Sequence, residues 1–258
     1  MSEKEKTTYE IGERFQDETK YTPEILNGYM LDWKAIPEPF KEYKNSIARI
    51  SLPEPKTPNE ANLWKLLLKR RTRREYAANQ ALKLNDLAAL LWAAQGLTAQ
   101  FGDTFFRTAP SAGGLYPIET YVSVRVVDGL EPGIYHFRPG DFDLEYLKKG
   151  DFSEKLTEAA LQQTVIQSAQ ATVIWSSLIA RGRWKYRQRS YRYVYLDAGH
   201  IGQNIYLAGE ALGLGVCAVG AFYDDDVNRI LDLDGVEETV IYMAAVGIRD
   251  REKEGGNV

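Results

Sequence analysis

The 258-residue chain is poor in the residues that metals and disulfides require: it holds one cysteine, Cys217, and two histidines, His136 and His200. One thiol excludes an intramolecular disulfide, and two imidazoles with one thiol make a poor zinc set. No metal site is therefore expected, and the composition suits a reducing compartment, the cytoplasm. No apolar run approaches the roughly 20 residues that span a bilayer, and the charged start MSEKEKTTYE lacks the apolar core of a signal peptide, so no membrane segment is expected. A basic excess is missing too. The 32 Lys and Arg stand against 36 Asp and Glu, a formal net charge of -4, whereas a dedicated nucleic-acid binder carries surplus cations to neutralise phosphates. GxxxxGK[ST], HExxH and GxSxG do not occur, and the glycines from Gly213 to Gly220 do not match GxGxxG. These absences remove the P-loop, zincin, α/β-hydrolase and Rossmann readings.

With 44% hydrophobic residues, the chain can bury a substantial core, as one large domain or two small ones. Residues 1–60 are polar and punctuated by Pro23, Pro37, Pro39, Pro53, Pro55 and Pro58, which predicts an extended N-terminal arm. Residues 61–258 carry the periodic segments. A helix is expected from Asn59, as N-cap, to Lys69, and a second from Asn85 to Gln95, stopped by Gly96. The alternating ETYVSVRVV and GIYHF predict paired strands, with DLEYLKK a third. Residues 153–168 return to helical spacing, ATVIWSSLIA reads as a strand, and a helix is expected to begin at Asp197 and end at Gly213. LGVCAVGAF reads as strand or tight loop, and TVIYMAAVGI as the last strand. Strands and helices mix without βαβ alternation, repeat or linker, so one α+β domain is expected.

The stretch RWKYRQRSYRY, residues 183–193, packs five cations and four aromatic rings into eleven positions with no acid. By composition it resembles a single-strand nucleic-acid surface, against which the acidic chain as a whole argues. It is expected to be a loop. Lys69 to Arg74 sets cations and a hydroxyl past a helix end, as a phosphate site or as a solvated terminus favoured by the helix dipole. Ala109 to Pro117 joins small residues between prolines, a backbone open to a ligand or a plain turn. His200, beside Gln203 and Asn204, is expected to be a structural core histidine, and Cys217 an inert buried thiol with no adjacent cation.

Five ordered blocks give these fragments a frame: FQDETK (Phe15 to Lys20), LKRRTRREY (Leu68 to Tyr76), APSAGGLYPIE (Ala109 to Glu119), YRYVYLDAGHIGQN (Tyr191 to Asn204) and LGLGVCAVGAF (Leu212 to Phe222). Together they resemble the nitroreductase superfamily of FMN enzymes, and within it the SagB-type dehydrogenases, which include azoline oxidases. The resemblance implies a homodimer with an antiparallel-rich sheet between helices and FMN at the subunit interface. It implies that Arg70, Arg71, Thr72 and Arg74 hold the flavin phosphate and ribityl chain, with Arg249 completing the site. The loop of Pro110, Ser111, Gly113 and Gly114 would pass the isoalloxazine, usually from the other subunit, and the Gly220 and Ala221 backbone would face flavin N5. Gly114 stands where the family usually has asparagine. Lys185 and Tyr186 match the azoline oxidases' Lys-Tyr pair: aromatising an azoline sends a hydride to the flavin and a proton to a base. A NAD(P)H-dependent nitro or quinone reductase is the alternative enzyme, and a nucleic-acid-binding module the alternative from another class.

Overall fold

The computed structural model describes residues 10–55, 58, 61–77 and 80–250. Residues 1–9 and Asn59, both named above, lie outside the described residues. A seven-stranded sheet is built from β1 (Ala48–Ser51), β4 (Ile118–Val124), β5 (Gly133–Arg138), β6 (Asp143–Lys149), β7 (Ala171–Leu178), β8 (Leu214–Val219) and β9 (Glu238–Ile248). Its order is β1-β6-β5-β4-β7-β9-β8 and every pairing is antiparallel. A separate two-stranded ribbon joins β2 (Leu97–Phe101) to β3 (Thr104–Arg107).

Alternation along the central strands sends two sets of side chains to two faces. Val122, Tyr135, Phe137, Leu144, Val173, Trp175 and Val246 form one core with α4 (Leu84–Gln95) and the long α8 (Ser190–Leu212). Tyr121, Ile134, Ile174, Met243 and Ala245 form the other with α5 (Ser153–Ala159), α6 (Val165–Ser168) and α9 (Asp224–Leu231). Helix α8 buries Val194, Ala198, Ile201, Ile205 and Gly209, a helical spacing, and Gly213 ends it at φ 72°, a left-handed conformation that suits glycine. Among the described residues no helix is long and apolar enough to cross a membrane.

Several expectations change. RWKYRQRSYRY is not a loop: α7 (Ile179–Tyr186) runs through its first half, one 3-10 turn covers Arg187–Arg189, and α8 begins at Ser190. Asp197 therefore caps nothing; it lies inside α8, buried, where loop groups rather than helix N–H groups satisfy its carboxylate. The helix ending at Lys69 is α3 (Leu63–Lys69), capped by Asn62, whose side chain accepts from the Lys65 N–H. The arm is not uniformly extended. It holds α1 (Ile11–Glu18), α2 (Pro23–Leu26) and a 3-10 turn at Trp33–Ala35, and β1 pairs with β6 at the edge of the main sheet.

Candidate functional site

Helix α7 leaves the end of β7 and places Lys185 and Tyr186 in its last turn. Both side chains meet the proline-serine loop at Gly113, whose φ is 65°. A Cβ there would collide with the Tyr186 hydroxyl and sit 3.1 Å from Lys185 Nζ. Glycine is thus required twice, by conformation and by approach. Asp197 anchors the same loop: the Ser111 hydroxyl donates to Oδ2 at 2.5 Å and the Ala112 N–H to Oδ1 at 3.2 Å. Ser111 Oγ also accepts from the Tyr116 N–H at 3.0 Å, so this side chain organises the loop. Pro110 stays exposed. Burial raises the Asp197 pKa from its ordinary value, and its bonds to Ser111 and Ala112 offset part of the rise. Burial, with Tyr193 and Asp197 nearby, also raises Tyr186, so at neutral pH its phenol is a hydrogen-bond donor.

Lys185 borders two cavities. One, of about 440 Å³, lies under Gly113 and Gly114 and is walled by Trp33, Phe40, Phe105, Arg107 and Trp184. Trp33 meets Trp184 edge to face at 5.5 Å, and Phe40 meets Phe105 at 4.8 Å. The other, of about 250 Å³, lies against Tyr21, Ile25, Tyr29, Tyr186 and Arg187. Arg107 is buried, which lowers its pKa to about 10 and leaves it cationic at neutral pH; it bonds to Gln95 and the Pro39 carbonyl.

A second cluster forms further along α8. Tyr206 accepts the Ala218 N–H at 2.9 Å, shares a hydrogen bond with the Thr72 hydroxyl at 3.2 Å, and carries the Arg70 guanidinium over its ring at 5.3 Å. The Arg73 N–H donates to the Val216 carbonyl, so residues 70–76 run beside the edge strand β8. Arg71 bonds to the Leu68 and Arg70 carbonyls. Among the described residues, no carboxylate pairs with Arg70, Arg71 or Arg74. Three cations without acid and one hydroxyl suit a phosphate. Arg249 reaches the same region but is committed: Nη2 pairs with Glu210 at 2.6 Å and Nε donates to the Leu214 carbonyl. Gly220 and Ala221 are exposed just past β8, with the Ala221 carbonyl held by Gln163.

Asp197 and Tyr206 are nine residues apart on one helix, about 13 Å along its axis. One chain therefore brings Ser111, Gly113, Lys185 and Tyr186 together at one level and Arg70, Thr72, Arg74 and Arg249 at another. Tyr206 escaped sequence reasoning because its spacing on α8 is that of any helical aromatic. Cys217 is buried and its pKa raised by burial as expected, yet Arg74 does lie against it and pulls the other way. His200 is exposed on α8, because its position falls on the solvent side of that helix. His136 is the core histidine. It sits between Glu119, at 3.0 Å from Nε2, and Glu145, at 2.9 Å from Nδ1. Burial lowers the His136 pKa, but these two hydrogen bonds outweigh it and hold the pKa above the ordinary value. Burial raises Glu119, but His136, Arg181 and Arg107 bring it down to about 2.

Three of the five cations of RWKYRQRSYRY, Arg187, Arg189 and Arg192, face the arm. Arg189 and Arg192 bond to the Thr19 carbonyl and hydroxyl, Arg192 also to the Gln16 carbonyl, at the C-terminus of α1 where the dipole favours positive charge.

The sequence profile of the nitroreductase family matches residues 67–248. This chain belongs to the nitroreductase family. A protein of Methanocaldococcus jannaschii named as a nitroreductase is 39% identical over 188 residues, covering 73% of this chain and 91% of that one. The crystal structure of a nitroreductase from Anabaena variabilis superposes with a TM-score of 0.74 at 32% identity, covering 91% of this chain but 45% of that one. The trifolitoxin-processing protein TfxB of Rhizobium leguminosarum bv. trifolii is 30% identical over 145 residues, 54% of this chain and 39% of that protein. The chain thus spans less than half the length of two of these three relatives. Its family is one of FMN-dependent oxidoreductases, and this chain is an oxidoreductase of that family. The antiparallel sheet between helices bears out the expected fold class.

Proposed function

We propose that this member of the nitroreductase family is a SagB-type dehydrogenase that oxidises an azoline-like heterocycle, free or within a peptide, and that it works as a homodimer. Arg70, Arg71, Thr72 and Arg74 would hold the FMN phosphate, Pro110, Ser111, Gly113 and Gly114 the ring from the second copy, and the Gly220 and Ala221 backbone the N5 edge. Arg249, paired with Glu210, would complete the phosphate site. Bound FMN supplies the two-electron step by exchanging hydride at N5. The protein's own part is the proton: Lys185 receives the one that leaves the ring carbon, and Tyr186 donates a hydrogen bond to the ring heteroatom.

The observation that carries this reading is Gly113, whose missing side chain lets Lys185 Nζ and the Tyr186 hydroxyl meet the proline-serine loop beside an aromatic cleft. A dimer is supported by the distance between the two clusters along α8 and by apolar surface on α3 and α8, where Trp64 is 77%, Leu68 75% and Leu196 60% exposed. The likeness to a trifolitoxin-processing protein favours a peptide substrate. The visible spectrum of the purified protein, with mass spectrometry of the released cofactor, tests the flavin. Lys185→Ala should abolish heterocycle oxidation with FMN retained; unchanged turnover refutes the role of Lys185.

A second reading is favoured by the Methanocaldococcus relative's name: NAD(P)H-dependent reduction of nitro compounds or quinones, with Lys185 and Tyr186 only shaping the pocket. Rapid anaerobic flavin reduction by NAD(P)H selects it. A nucleic-acid role is not proposed, because Arg187, Arg189 and Arg192 are spent on the arm.

A further inference from the structure

Arg187 has φ 49° and ψ −133°, a backbone conformation rare for any residue with a side chain, and it directly follows Lys185 and Tyr186. Such strain persists only where the surroundings over-determine it, and it gathers at functional sites. Here the backbone is held by the Arg183 carbonyl and the Ser190 hydroxyl, and the side chain by one segment of the arm. The Arg187 guanidinium lies 3.7 Å from the centre of the Tyr29 ring, and its Nη1 donates to the Ile25 carbonyl at 3.2 Å. On the other side of the pair, the Trp184 carbonyl accepts from the Tyr29 hydroxyl at 2.8 Å, and the Trp184 indole N–H donates to the Asp32 carbonyl at 2.8 Å. Tyr29 therefore grips both flanks of the Lys185-Tyr186 dipeptide, Trp184 with its hydroxyl and Arg187 with its face. The tips of the dipeptide's own side chains reach Gly113.

We propose that Tyr29 and Arg187 are positioning residues: the arm clamps the chain on either side of Lys185 and Tyr186, and the strained turn at Arg187 sets the angle at which the pair meets the proline-serine loop. The inference rests on the reading that Lys185 serves the reaction. It extends that reading, because it makes the N-terminal arm part of the machinery. If the arm lifts, Arg187 relaxes to an ordinary conformation and the pair leaves Gly113.

Two variants separate positioning from packing. Arg187→Gly accepts a positive φ without strain while removing the cation, and Tyr29→Phe removes only the hydroxyl. In the flavin-loaded protein, Arg187→Gly should keep the flavin spectrum and the melting temperature while lowering kcat about tenfold with KM little changed, and Tyr29→Phe should lower kcat about threefold. Arg187→Lys, which keeps a cation over the ring, should restore most of the rate. Independently of turnover, acetylation of Lys185 by acetic anhydride, followed by mass spectrometry against the exposed Lys149, should change about threefold in Arg187→Gly and not in Arg187→Lys. The proposal is overturned if Arg187→Gly leaves the labelling ratio unchanged, whether or not kcat falls. Should Lys185→Ala alone leave turnover intact, the role of Lys185 falls, and the labelling ratio still decides whether the arm positions it.

Discussion

The two halves of the N-terminal arm are held by different physics. Residues 38–51 are fastened into the domain by buried ions. Lys41 Nζ reaches the Tyr43 and Tyr121 hydroxyls and pairs with Glu238 at 2.5 Å, and the Tyr43 N–H donates to both oxygens of Glu145. Glu145 in turn bonds to His136 and so to Glu119 and Arg181, which itself donates to the Glu38 carbonyl. Residues 11–35 bury no side chain of α1, α2 or the 3-10 turn, and they rest on cations, rings and carbonyls that are partly wet. Removing one member of a buried ion set strands the others in low dielectric, whereas exposed pairs exchange readily with water. The second half is thus part of the fold. The first is a cover, and it is this cover that reaches Lys185 and Tyr186.

The contrast can be broken in order of effect. His136→Phe leaves Glu119 and Glu145 facing each other's charge without a donor between them, and should cost about 3–5 kcal/mol in chemical denaturation. Acid should act on the same knot. Glu119 is held at about 2, below its ordinary value of 4.5, so its contribution is complete above pH 4.5 and drains away as pH falls towards 2. His136 is held above 6.5, so its contribution is complete below that pH and is lost as pH rises through its folded value. Melting temperature against pH should fall below 4.5 and decline again on the alkaline side, and Glu119→Gln should flatten the acid limb; an unchanged limb would place the acid sensitivity elsewhere. Lys41→Ala, at a partly exposed pair, should cost about 2 kcal/mol. Arg192→Ala should cost about 1 kcal/mol or less, yet raise amide exchange across residues 11–33 while residues 38–51 keep their protection. Equal exchange in both halves would erase the distinction.

Much of the domain could be read from the residues because its signals are local. The strands from Ile118 to Lys149 alternate, α4 repeats leucines at helical spacing, and the five motif blocks locate both clusters along α8. What escaped reading depends on partners distant in the chain. β1 is four residues of ARIS whose only cue is its pairing with β6. The β2-β3 ribbon is mostly exposed, so it shows no apolar alternation. RWKYRQRSYRY hid its helices because its partner is the arm, which offers carbonyls and rings in place of a leucine stripe. The charged row of Glu119, His136 and Glu145 breaks the rule that strands bury apolar residues, and only the register of β4, β5 and β6 reveals that these three satisfy one another. At the site, Gly113 could be picked out as a turn glycine; that it faces Lys185 and Tyr186 required the fold.

Helix α8 also acts as a ruler. It carries Asp197, which ties the proline-serine loop, and Tyr206, which ties the cationic segment and β8, on a fixed count of residues. Each residue added or removed between them turns one anchor about 100° relative to the other, so a single insertion there detaches a loop that no mild substitution would disturb. Length between positions 197 and 206 is therefore quantised: chains that keep both anchors can vary the side chains in between, but not their number.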